Sequence, residues 1–310
     1  MEFSWLTLVA AFGGGLFGAA IGALPSFIFT GFTVLVGVAI AFAGSDYDFL
    51  TNVAFGPVFG PHIGFAGGAA AAAFAARRGT LESGGRDIAT GLAGLGDSLT
   101  LLVGGAFGML GYLIQYVLMQ FLNLGSFTDA IALTVFISAI IARLAFGRTG
   151  LFGSLDDESR RRGRFNPGGE RAWVAYQQGW GQAAVIGLGV GAFSAFLAIS
   201  VAQANPALAP AGAVIGFGIT AASLIFLQFG TSIPVTHHMA LPAAVAAGVA
   251  APLGIGAALI IGIIGGILGA LVGELASRLF LIHGDTHIDP PATAIWIMTS
   301  VFLIGALLFG

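Results

Sequence analysis

Three histidines lie in apolar stretches of the chain and are the first candidates for chemistry. His62 directly follows Pro61, and His237 and His238 lie shortly after Pro234. In both places the histidine comes at a similar distance after a Phe-Gly pair. An ionisable side chain inside an apolar segment is by default a functional candidate, and imidazole can donate, accept or transfer a proton near neutral pH. We therefore predict that these histidines contact a polar solute or ion. The alternative is a buried histidine that only satisfies nearby backbone groups.

Hydroxyl and carboxyl groups extend this candidate set. Three hydroxyl residues precede His237 and could line the same path, or could bond to helix carbonyls instead: Thr231, Ser232 and Thr236. Glu274 and Asp129 are candidates for ion or proton coupling, because a charge at the membrane centre costs about 2.5–3.5 kcal/mol. Their structural alternatives are an ion pair of Glu274 with Arg278, four residues later, and a helix N-cap for Asp129.

The sequence does not favour a metal centre or an enzyme. His283, Asp285 and His287 alternate and would share one face of an extended segment, which makes them a weak metal candidate. Asp289 and the two prolines after it are instead typical of a helix start. The chain has no cysteine, so thiolate ligands and disulfides are excluded. Nucleophile-elbow and phosphate-loop motifs are also absent, and we expect no catalytic residue and no cofactor.

The composition is that of a membrane protein. Charged residues make up 8% of the chain and hydrophobic residues 57%, and the mean hydropathy is +0.97. Soluble domains carry about 25% charged residues. We predict an all-α, polytopic integral membrane protein whose partners are the lipid bilayer and a small solute or ion. Nucleic acid is not expected, since the arginine run at 160–164 is balanced by the acidic residues at 156–158, and a homo-oligomer is left open.

Apolar segments divide the chain into two similar halves. The predicted domains are a first membrane repeat at 1–146, a charged cytoplasmic linker at 147–175, and a second membrane repeat at 176–310. The ten predicted segments are 4–24, 25–44, 53–76, 95–122, 127–146, 180–201, 209–228, 229–250, 253–281 and 291–309.

Matching motifs indicate that the two halves arose by duplication. Glycine-rich runs begin at Gly104 and Gly265, and each is followed by a polar turn that carries Asp129 or Asp289. Alignment of the two Phe-Gly pairs places His62 on His237, which leaves His238 without a counterpart. Chance similarity between small-residue segments is the alternative.

Arginine placement predicts the orientation. Clusters of arginine follow the third and fifth segments, and Arg278 ends the ninth. Five crossings per half place all of them on one side, which the positive-inside rule makes cytoplasmic. The repeats would then be inverted, with both termini outside a prokaryotic inner membrane. If 53–76 and 229–250 are re-entrant instead, each half has four crossings and the repeats are parallel.

Prolines mark where these two segments should break. Pro57, Pro61, Pro234 and Pro242 each remove a helix N–H, and freed carbonyls at membrane depth need protein or water around them. Interrupted segments at matching positions of two halves point to a transporter's binding site. We therefore predict a transporter or channel whose path lies between the two broken segments. The alternative is a non-transporting scaffold or a subunit of a membrane complex.

Overall fold

The structure, a computed structural model, describes residues 3–309 apart from the side chains of residues 169, 170 and 309, and within that range the fold is helical and contains no strand. The predicted all-α class is therefore confirmed. The first half contains α1 (Trp5–Ile21), α2 (Ala23–Phe42), α3 (Gly64–Arg78), α4 (Ser98–Gln120) and α5 (Ala130–Phe146). Two short helices follow in the linker, α6 (Asp157–Arg162) and α7 (Gly168–Arg171). The second half contains α8 (Trp180–Ala204), α9 (Ala209–Ala222), α10 (Ile225–Gln228), α11 (His237–Ala250), α12 (Ile255–Ala276) and α13 (Pro290–Phe309).

The described residues include six helical segments that are long and apolar enough to cross a bilayer. They are Ala23–Phe42, Ser98–Gln120, Trp180–Ala204, Pro206–Gln228, Ile255–Leu281 and Pro290–Leu308. This is compatible with an integral membrane protein. Six is fewer than the ten segments predicted, because α1, α5 and α11 are shorter apolar helices and α3 has only 15 residues. A 15-residue helix is about 22 Å long, less than the roughly 30 Å hydrocarbon core.

Glycine contacts bring the helices of each half close together. α1, α3 and α4 pack against one another in the first half, as do α8, α11 and α12 in the second. A Cβ at Gly67 would lie 2.6 Å from the carbonyl oxygen of Gly104, and one at Gly187 would lie 2.7 Å from that of Gly266. Only glycine allows such approaches, which are typical of helix packing in membranes. The halves meet where α2 packs on α9 and α5 packs on α13.

The connecting loops that carry most of the arginines gather at one end of the bundle. We call this end the arginine face; its residues are 79–97, 147–179 and 282–289. The three loops are bonded to each other: Arg86 Nη1 donates to the Ile282 carbonyl at 3.2 Å, and Ser154 N donates to the His283 carbonyl at 2.8 Å. The start of α2 belongs to the same end, since Leu24 N donates to the Ile88 carbonyl at 2.7 Å.

The backbone is irregular ahead of α3 and of α11, as the prolines predict. Residues 55–63 and 229–236 form turns and extended stretches. Side chains donate hydrogen bonds to carbonyls that have no helix partner in these stretches. The Thr30 hydroxyl donates to the Phe59 carbonyl at 2.5 Å. The Gln177 amide makes two bonds to the backbone of Val235, donating at 3.0 Å and accepting at 2.9 Å. These bonds compensate for the lost helix ladder.

The prediction that Pro242 breaks its segment is wrong. Pro242 lies inside α11, which continues to Ala250. The ring removes only the bond to the carbonyl of His238, four residues earlier. That carbonyl lies against Gly269 of α12, where a Cβ would overlap it. The glycine leaves room for this unpaired carbonyl, so the helix can accommodate the proline.

Candidate functional site

A cavity of about 720 Å³ lies between the two halves. Its walls come from α2, α3 and α5 of the first half and from α9, α11 and α13 of the second, and its rim consists of arginine-face loops. Rim residues such as Ser83 and Tyr176 are solvent-exposed, so the cavity opens on that face. Its volume lies within the range of about 300–1,000 Å³ that is typical of small-molecule sites.

Aromatic rings form much of the cavity wall. Phe27 and Phe217 face each other from α2 and α9, with ring centroids 5.8 Å apart in a T-shaped arrangement. Phe65 of α3 lies 6.0 Å from Phe27, and Phe55 of the first irregular segment lies 5.7 Å from Phe217. Such a wall suits the apolar part of a solute.

His237 is the only one of the three predicted histidines that lines the cavity. It is the first residue of α11, and its ring is 4.5 Å from Phe27 and 5.9 Å from Phe217. His62 and His238 are buried in the helix packing instead. His62 lies beside Gln115 of α4, and the His238 ring lies 5.7 Å from Trp173. Of the three histidines predicted to line a path, one, His237, therefore contacts the cavity.

The other predicted path residues are similarly divided. Pro61 lines the cavity, directly ahead of the buried His62. The hydroxyl of Thr231 donates to the Phe226 carbonyl at 2.5 Å, which is the back-bonding alternative. The remaining members of the set also lie outside the cavity lining: Pro234, Ser232 and Thr236.

Two carboxylates at the starts of α5 and α13 face the cavity. Asp129 caps α5, as predicted, and accepts from Ala132 N at 2.7 Å. Asp289 accepts from Ala292 N at 2.8 Å, the N-cap bond that its sequence indicates, and its other oxygen lies 3.1 Å from His287 Nε2. Both aspartates therefore combine a capping role with a position on the cavity wall.

Glu274, the other predicted coupling residue, lies outside the cavity. Its carboxylate is buried and accepts from Arg278 Nε at 2.8 Å. The guanidinium of Arg278 lies 4.1 Å from the Trp180 ring and donates to the Phe165 and Gln178 carbonyls. These contacts fit the structural alternative, in which the pair ties the linker to the end of α12.

The three weak metal candidates bond to different partners. His283 Nε2 lies 3.0 Å from the Arg164 carbonyl, Asp285 accepts from Thr149 and from the backbone of Arg148, and His287 pairs with Asp289. Among the side chains that the structure describes, no group of three or more His, Cys, Asp or Glu is placed to hold a metal ion.

Charge at the cavity rim comes from Arg86, Arg171 and Asp87. Burial, and then the neighbouring charge of Arg171, lower the pKa of Arg86 below its usual value. Burial raises the pKa of Asp87, but hydrogen bonds from Ser83 and Thr90 outweigh it and hold this pKa below its usual value. In the sequence, these arginines indicate only the orientation of the chain in the membrane. Nothing in the linear pattern relates them to Phe27 or Phe217.

A family model described as a family of unknown function (DUF7973) matches residues 1–161 and, a second time, residues 155–309. The chain belongs to this family. The two matched ranges meet within the charged linker. No curated protein and no solved structure matches the chain.

Proposed function

We propose that this protein is an integral membrane transporter or channel for a small solute or ion, and that the central cavity is the solute site on its path. The observation that carries the proposal is the lining of the cavity by residues at matching positions of the two halves. Transporter sites commonly lie at the interface of two structural repeats, next to broken helices.

Several cavity residues form matched pairs. On α5 and α13, Asp129 corresponds to Asp289, Ala132 to Ala292, and Val135 to Ile295, all at the same spacing. On α3 and α11, Pro61 and Phe65 have the same spacing as His237 and Leu241. The double family match and the recurrent packing of three helices in each half support the same interpretation. We infer two five-segment repeats, with domains at 1–146 and 176–310.

The direction of the helices favours inverted repeats. α3 ends at Arg78, where the 79–97 loop of the arginine face begins. α11 begins beside the same face, because Val235, just ahead of it, is bonded to Gln177 of the linker. The corresponding helices therefore run in opposite directions. In this topology the two broken segments both cross the bilayer, the arginine face is cytoplasmic and the termini lie outside.

Packing matches His62 with His238 within these repeats. Gly18 of α1 lies against the Gly64 carbonyl, and Ser194 of α8 donates to the Ala240 carbonyl at 2.7 Å. Gly64 and Ala240 each follow a histidine by two residues, namely His62 and His238. The sequence alignment paired His62 with His237, whereas the packing pairs His62 with His238, one residue later. In the packing-based pairing, His237 corresponds to Pro61. We propose that His237 contacts the solute and that the two buried histidines support the packing.

Cysteine accessibility tests the path, and the cysteine-free chain makes the test clean. We expect Phe65→Cys and Leu241→Cys, on the cavity wall, to react with a membrane-impermeant thiol reagent added from the arginine face. Ile63→Cys and Met239→Cys are matched controls, because both side chains are fully buried outside the cavity and should stay unlabelled. Protection of Phe65→Cys and Leu241→Cys from both sides would favour the scaffold alternative.

A further inference from the structure

We propose, on the basis of the proposed function, that the solute is a monoanionic organic acid with an apolar body, and that its carboxylate binds Arg86 and Arg171 at the cavity rim. Charged groups around the cavity that still have free hydrogen-bonding capacity indicate the charge of the solute, and the cavity walls indicate its uncharged part.

The carboxylates around the cavity already have donors. Asp87 accepts from Ser83 at 2.5 Å and from Thr90 at 2.6 Å. Asp289 accepts from Ala292 N and lies within hydrogen-bond distance of His287, and Asp129 accepts from a backbone N–H at the start of α5. These local bonds satisfy much of the negative charge, so the carboxylates have little need of a bound cation.

The guanidinium groups are in the opposite situation. Among the side chains that the structure describes, which do not include that of Glu170, Arg86 has no ion-pair partner, and the hydrogen bond it makes there goes to the Ile282 carbonyl at 3.2 Å. A guanidinium has five N–H donors. Arg171 lies close enough for its charge to oppose that of Arg86, and its ion pair is with Asp156. Two neighbouring cations with spare donors favour an anion between them, and carboxylate matches the fork of arginine.

The walls beyond the rim define the rest of the solute. Phe27, Phe65 and Phe217 give the cavity an apolar lining deeper than the arginines, so the uncharged part of the molecule would pack there. A second negative charge on the solute would be desolvated against aromatic rings and would face the carboxylates of Asp129 and Asp289, without a cationic partner. The solute is therefore a monoanion. An organic cation could also stack on these rings, but it would have to pass both guanidinium groups.

Binding to the purified full-length protein in detergent tests this assignment with three probes of nearly equal size. Phenylacetate carries a carboxylate, phenylacetamide is neutral, and phenethylamine is a cation. Trp173 lines the cavity, so its fluorescence reports occupancy, and Trp173→Phe should abolish the signal. We expect phenylacetate to bind at least about tenfold more tightly than either of the other probes. A tenfold difference corresponds to the lower end of the free energies found for hydrogen bonds to charged groups.

Substitutions at the rim locate the carboxylate. Arg86→Gln and Arg171→Gln should each weaken phenylacetate binding by about tenfold to a hundredfold and leave phenylacetamide unchanged. Asp156→Asn removes the ion-pair partner of Arg171 but keeps the guanidinium, so affinity should be retained. Arg78→Gln is a second control, because Arg78 ends α3 next to the arginine face and does not line the cavity. If Arg86→Gln fails to fold, Arg171→Gln still tests the charge, and Arg86→Lys tests the bidentate fork with the charge kept.

Several outcomes would overturn the proposal. These are tighter binding of phenethylamine than of phenylacetate, phenylacetate affinity that is unchanged in the arginine variants, or no phenylacetate binding at millimolar concentration. Labelling of Leu241→Cys from the arginine face does not depend on the charge of the solute. A labelled cavity that rejects phenylacetate would therefore refute the anion and keep the path, whereas an unlabelled cavity would refute the path itself.

Discussion

Replacement of Arg143 by methionine should destabilise the protein by about 3–5 kcal/mol, the range for removal of one partner from a buried charged network. Arg143 lies near the end of α5, and its side chain is fully buried. Its Nε donates to the Thr286 hydroxyl at 2.5 Å, and its two terminal nitrogens donate to the carbonyls of Gly150, Leu151, Phe280 and Thr286.

The loss of stability in Arg143→Met follows from the backbone carbonyls that lose their hydrogen-bond donor. Methionine fills much of the same volume but has no N–H donor. The surrounding backbone carbonyls would stay buried without a hydrogen-bond donor, and each buried, unpaired carbonyl costs about 1–3 kcal/mol. These carbonyls belong to the linker and to the α12–α13 loop, which carries His287 and Asp289 to the cavity. We therefore expect loss of probe binding together with the drop in thermal midpoint, measured by tryptophan fluorescence in detergent.

Arg148→Met is the matched control for this prediction. Arg148 is exposed, and the described contact with Asp285 is made by its backbone N–H rather than by its side chain. Exposed substitutions away from such networks usually change stability by less than about 0.5 kcal/mol. Equal midpoints for Arg143→Met and the unmodified protein would contradict the view that this arginine holds the linker and the α12–α13 loop together.

Gly111→Val should also be strongly destabilising, by about 3 kcal/mol or more, at or beyond the top of the usual range for overpacking. Gly111 lies in α4, and a Cβ at this position would overlap the carbonyl oxygen of His62. The obstacle is backbone rather than a flexible side chain. The irregular segment before α3 would have to move away from α4 and would carry Pro61 with it.

A helix glycine without neighbours provides the comparison for Gly111. Gly189 lies on the exposed side of α8, and nothing lies within 4 Å of a Cβ built there. Gly189→Val should therefore leave the thermal midpoint nearly unchanged. If Gly111→Val behaved like Gly189→Val, the close approach of His62 to α4 would not be required for the fold.

Local signals were sufficient to predict several features of this protein. Asp129 and Asp289 cap the helices that follow them, because a short acceptor ahead of an apolar run is the usual N-cap arrangement. Prolines ahead of α3 and α11 predicted irregular backbone, which is found at residues 55–63 and 229–236. Pro242 was misjudged because its effect depends on Gly269, a residue on another helix.

The cavity itself could not be predicted by the same means. His62, His237 and His238 look alike in the sequence, yet only His237 reaches the cavity wall. A shift of one residue on a helix turns a side chain by about 100°, so the face it presents depends on the packing of neighbouring helices. Phe27 and Phe217 are far apart in the chain and meet only because α2 packs on α9.

Composition and periodicity alone therefore determined that the chain is helical and apolar, with irregular backbone at two matching places. Those properties depend on near neighbours in the sequence, through backbone propensity, proline geometry and hydropathy. Tertiary structure decided which polar groups face a shared cavity and that Arg86 and Arg171 sit together at its rim, since these depend on contacts between helices and loops from both halves. The physical reason is that helix packing, here through glycine, sets which face of each helix turns inward.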